Sequence, residues 1–125
     1  GYVPFNYKNQ SWCKPGEFNT KLFPIERDKL SDLVKPSDLI GYIIKTASQE
    51  TGLPENLPII AAAADKACEV LGSGCISPDI ACLSYGTTAT VETVHPSYKE
   101  VIRFFPSYPS AIPNYYNTEF MIYRG

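Results

Sequence analysis

Residues 49–74, QETGLPENLPIIAAAADKACEVLGSG, leave the backbone few choices. Gly52 supplies the left-handed residue on which helices commonly end, and Pro54 forbids continuation, so a helix must stop near Thr51. The short apolar run LPIIAAA, bounded by proline, reads as a strand covered on both faces. Asp65 follows at its carboxyl end. Ala67, Val70 and Leu71 then keep helical spacing until Gly72 and Gly74 stop it, which predicts a helix over residues 66–71. Upstream, Leu39, Ile40, Ile43, Ile44 and Ala47 suit a helix while Gly41 and the β-branched run suit a strand; the division that serves both is a strand over 39–43 and a helix from about Ile44. Alternating strands and helices of this kind place the chain in the α/β class.

Elsewhere proline sets the limits. Pro4, Pro15, Pro24 and Pro36 exclude long elements from the first 36 residues, leaving room for one short helix around Phe18, Leu22 and Phe23, with Trp12 packed against it, and a turn near Leu30–Val34. DIACLSYGTTATVETV predicts strands over 80–85 and 89–94 bent around Gly86, with threonines at the tip. The last third is rich in tyrosine and phenylalanine and alternates enough for strands near 100–105 and 115–123.

With 125 residues, 44% hydrophobic and 19% charged, the chain belongs to the globular regime and is long enough for one modest core. Its formal net charge of -2 and lack of an Arg/Lys cluster give no field to attract nucleic acid or an anionic membrane. No run approaches a membrane span, and the start lacks a signal-peptide pattern. The four cysteines, Cys13, Cys68, Cys75 and Cys82, form no CxxC pair and lie in apolar segments, so they read as reduced core thiols of a cytoplasmic protein.

Asp65 is the first candidate for chemistry. A carboxylate at the carboxyl end of a strand and the mouth of a helix stands where open α/β sheets place ligand groups, and helix amides favour its ionised form, as a proton acceptor requires. The competing reading makes it a helix cap, accepting a bond from an N–H two or three residues on. The second candidate is Gly86-Thr87-Thr88, where a tight turn can aim N–H groups and two hydroxyls at phosphate oxygens, although many hairpin tips hold such residues with no ligand. Ser84 is no nucleophile elbow, because Cys82 stands where the motif needs glycine. His95, before Pro96 in a polar loop, reads as solvent-facing.

Taken in order, LIGYI, ETGLP, PIIAAAAD, KACEVLGSG and ACLSYGTT resemble the FGGY family of carbohydrate kinases, and the likeness extends loosely back to Trp12 and forward through IPNYYNTEFMIYRG. The resemblance implies part of a ribonuclease H-like fold of the actin and hexokinase type, two domains closing on a sugar or polyol and ATP with Mg²⁺. It implies that Asp65 accepts the proton of the attacked hydroxyl and that Gly86, Thr87 and Thr88 bind ATP phosphates. Residues 1–76 would end the amino-terminal domain and 77–125 would begin the carboxy-terminal one. Two departures stand out: Ala62, Ala63 and Ala64 replace glycines common in the family, and Thr88 stands where Ser or Gly is common. Neither the family's amino-terminal phosphate loop nor its adenine-binding segment is present. The expectation is an internal fragment, inactive alone, that self-associates through Phe104, Phe105, Tyr115, Tyr116, Phe120 and Tyr123. The alternative is a non-catalytic binding or assembly domain.

Overall fold

A computed structural model describes residues 4–86, 88–102 and 105–123. The chain opens with a small antiparallel pair, β1 (Phe5–Asn6) and β2 (Ser11–Trp12), followed by helix α1 (Phe18–Leu22) and a 3-10 turn at Arg27–Lys29. Trp12 packs edge-to-face on Phe5, and its indole N–H donates to the Ser31 carbonyl at 2.9 Å.

Strand β3 (Leu39–Tyr42), helix α2 (Lys45–Thr51) and strand β4 (Pro58–Ile60) follow, then helix α3 (Asp65–Gly72). Helix α2 ends as its sequence dictates: Gly52 adopts φ 76°, and its N–H closes the last turn on the Ser48 carbonyl at 2.9 Å. Strands β3 and β4 pair antiparallel, with a register shift between Leu39 and Gly41. The expected covered strand is corrected here. Strand β4 is three residues long, and Leu39, Ile40, Tyr42, Ile59 and Ile60 are exposed, because no described element packs over this pair.

The remainder builds one four-stranded antiparallel sheet in the order β5-β6-β8-β7, from β5 (Ala81–Tyr85), β6 (Thr88–His95), β7 (Tyr108–Pro109) and β8 (Tyr116–Tyr123). The hairpin and the final strand match expectation. The strand near 100–105 does not form among the described residues, where Ile102 and Phe105 make an isolated bridge; Pro106 ends extended pairing, and the edge strand forms at Tyr108 instead.

Strand alternation gives this sheet two unlike faces. One carries Cys82, Thr90, Glu92, Val94, Tyr108 and Asn117, and its core is Val70 and Cys75 packed on Val94, with Cys82, Ile112 and Tyr115 around them. The other carries Leu83, Tyr85, Val91, Phe120 and Ile122, all exposed, Tyr85 at 81%. Of the thiols only Cys75 is buried, while Cys68 is exposed on α3, which corrects the reading of all as core residues.

Candidate active site

Asp65 is the first residue of α3. The chain reaches it from Ala64, an extended residue at the cap position that has no side chain able to bond the helix amides. Among the described residues the exposed Asp65 side chain takes one bond, its Oδ1 accepting from the Lys66 N–H at 2.7 Å. This differs from the capping geometry considered above, in which the acceptor belongs to the residue before the first turn and reaches two or three residues on. Ala62 and Ala64 beside it are small and exposed, so the approach to the carboxylate is open.

The Gly86 turn joins β5 to β6. Tyr85 pairs with Ala89, and the Gly86 N–H donates to the Thr88 carbonyl at 3.0 Å, so that amide closes the hairpin and is not free for an anion. Thr87 lies outside the described residues, and Thr88 is half-buried at the start of β6. Among the described residues no hydrogen bond or ion pair joins Asp65 to Gly86 or Thr88.

The link between their two elements runs through residues that the local motifs did not single out. Lys66 extends its Nζ to Glu69 Oε2 at 2.7 Å and to Glu92 Oε1 on β6 at 3.8 Å. Glu92 is only 1% exposed. Burial, and after it the charge of Glu119 in the facing position on β8, push its carboxyl above the usual range; Lys66 and the Thr90 hydroxyl act the other way. Beside it, burial pushes the Tyr108 phenol well up, an effect the Asn117 side chain opposes, although neither atom of the Asn117 amide nor the Tyr108 hydroxyl reaches hydrogen-bond geometry. The sequence did hold a signal: in TVETV, Glu92 alternates with Thr90 and Val94 on the inward face of a strand, an unusual position for an acid.

His95 is corrected outright. It is 5% exposed at the end of β6, with Nδ1 on the Ser97 carbonyl at 2.7 Å and Nε2 on Thr118 Oγ1 at 2.6 Å, while Thr118 Oγ1 also meets Ser107 Oγ at 2.7 Å. The strand continues one residue past the expected end and carries the ring onto β8.

No family model matches the chain. Among curated proteins it is 33% identical over 87 residues to the uncharacterized sugar kinase YgcE of Escherichia coli K12, covering 70% of this chain and 18% of that protein. It is 29% identical over 108 residues to the xylulose kinase of Lactococcus lactis, covering 84% of this chain and 21% of that protein. Among solved structures it superposes on a gluconate kinase from Lactobacillus acidophilus with a TM-score of 0.75 at 21% identity, over 98% of this chain and 24% of that one. The fold is thus part of the actin and hexokinase type. Spanning about a fifth of the length of the curated relatives it matches, the chain belongs to the FGGY family of carbohydrate kinases.

Proposed function

We propose that the chain is a segment of an ATP-dependent kinase that moves the γ-phosphoryl group of ATP to a hydroxyl of a sugar or polyol, with Asp65 as general base. The observation that carries this reading is an open carboxylate on the first turn of α3, in a chain whose relatives are sugar kinases. The hydroxyl O–H gives its proton to Asp65 as the oxygen forms its bond to the γ-phosphorus, and the bond to the β-phosphate oxygen breaks to release ADP.

Thr87 and Thr88 are the candidate phosphate donors of the turn, while the Gly86 amide closes the hairpin. Among the described residues no group of three His, Cys, Asp or Glu side chains is placed to hold a metal ion. Mg²⁺ is therefore assigned to the nucleotide phosphates, whose charge it would neutralise, and no step is drawn through it. The domain boundary is proposed near Ile76, and residues 1–125 alone, without the remaining nucleotide contacts, are proposed to be inactive.

The test is phosphorylation of a panel of ketoses, aldonates and polyols by the full reading frame that carries this segment. Asp65→Asn should lower turnover by about 10²- to 10⁴-fold. Equal rates remove Asp65 from the mechanism, and ATP-dependent phosphorylation by residues 1–125 alone contradicts the claim of incompleteness.

A further inference from the structure

We infer that Glu92 is a positioning residue which, through Lys66, holds the first turn of α3 and its carboxylate Asp65 against the strand descending from the Gly86 turn. The inference rests on the assignment of Asp65 as base.

Its starting point is an imbalance of charge. Glu92 is a carboxylate removed from water on the inward face of the sheet, and a buried charge is costly unless a counter-charge answers it. The titratable groups facing it are Glu119 from β8, Tyr108 from β7, and Lys66 and Glu69 from α3. Glu119 and Glu69 add negative charge, Tyr108 stays a neutral phenol, and Lys66 is the one cation among them.

Lys66 reaches both sites at once. Its backbone N–H holds Asp65 Oδ1 at 2.7 Å, and its ammonium lies 3.8 Å from Glu92 Oε1. The second anchor, Glu69 at 2.7 Å, is one turn along the same helix and fixes the lysine to α3 rather than to the sheet. The ion pair with Glu92 is therefore the charged link from the Asp65 turn to β6. Along β6, Glu92 lies four residues from Thr88, about 13 Å of strand. The carboxylate and the phosphate turn are thereby referred to one strand. An ion pair between the buried Glu92 and the half-buried Lys66 adds little net stability over a neutral replacement but defines a geometry, which is what a base and a phosphate site on different elements require.

The test uses the full reading frame with three substitutions. Glu92→Gln and Lys66→Met should each lower kcat by about 10- to 100-fold, the cost of misplacing a reacting group, while KM for sugar and for ATP stays within about threefold. Lys66→Arg should restore most of the loss. A residue that merely stabilises the fold would lower the urea midpoint and spare kcat; here the Glu92→Gln midpoint should not fall, because an amide removes the buried charge. Unchanged kcat in Lys66→Met, in an enzyme that Asp65→Asn inactivates, overturns the tether and leaves the base intact. Equal turnover in Asp65→Asn overturns the base instead. A readout free of turnover is the NMR spectrum of the same full-length protein: Glu92→Gln should displace the Asp65 and Lys66 amides and the Lys66 ammonium signal. If Glu92→Gln does not fold, Lys66→Met should displace the Asp65 amide, and an unmoved Asp65 amide overturns the proposal.

Discussion

Thr118→Val tests whether the polar seam joining β6, β8 and the segment before β7 stabilises the sheet. The Thr118 hydroxyl is the shared partner of His95 Nε2 at 2.6 Å and Ser107 Oγ at 2.7 Å, and Ser107 bonds onward to the Lys99 carbonyl. Valine has the same shape and removes only the hydroxyl, so packing is kept while the ring nitrogen is left facing a methyl group. A buried polar group without its partner costs about 1–3 kcal/mol, and Ser107 keeps its carbonyl bond, so the total should be about 2–3 kcal/mol. With an m-value of about 2 kcal/mol per molar urea, the denaturation midpoint should fall by about 1–1.5 M. Thr118→Ser keeps the hydroxyl and loses one methyl, which should cost about 1 kcal/mol. The measurement is equilibrium urea unfolding followed by far-UV circular dichroism. A valine midpoint no lower than that of the serine variant would refute the reasoning, because the hydroxyl would then contribute nothing.

Further outcomes are expected. Gly52→Ala places a β-carbon at φ 76°, and should destabilise by about 1–2 kcal/mol in the same assay; no change would mean that the helix end relaxes freely. Glu92 has a folded-state pKa raised above its ordinary 4.5, chiefly by burial, so the fold binds a proton more tightly than the unfolded chain; stability should decline as pH rises from about 4.5 through the raised value. Glu92→Gln should flatten that slope, and identical pH profiles for both proteins would contradict the assignment. The exposed face of Leu83, Val91, Phe120 and Ile122 should drive self-association of residues 1–125, seen by light scattering as a dimer or larger species; Leu83→Lys with Ile122→Lys should yield monomer, and a wild-type monomer at high concentration would count against it.

What the sequence revealed follows from the range of the forces involved. The stop at Gly52 and the hairpin about Gly86 are set by residues within a few positions of one another and stand as read, while α3 starts one residue earlier than expected, at Asp65. The burial of β4 was misread because an apolar run reports what a strand must hide, not which residues hide it. His95 was misread for a related reason: the proline after it suggests a loop, yet its surroundings come from Thr118, 23 residues away, and no local pattern contains that pairing. Asp65 is proposed from its position at the mouth of α3 together with the family resemblance. The polar groups around the Lys66 ammonium became visible only when register put Glu92 opposite Glu119 and Asn117 opposite Tyr108.

Strand β6 is laddered on both edges: five of its residues pair with β5, and all eight pair with β8. A tip borne on such a strand has little freedom to flap. Because Val94 of that strand packs on Val70 and Cys75, and Glu92 lies 3.8 Å from Lys66, α3 and the four-stranded plate are braced as one unit about β6. Amide protons along β6 should therefore exchange together and slowly.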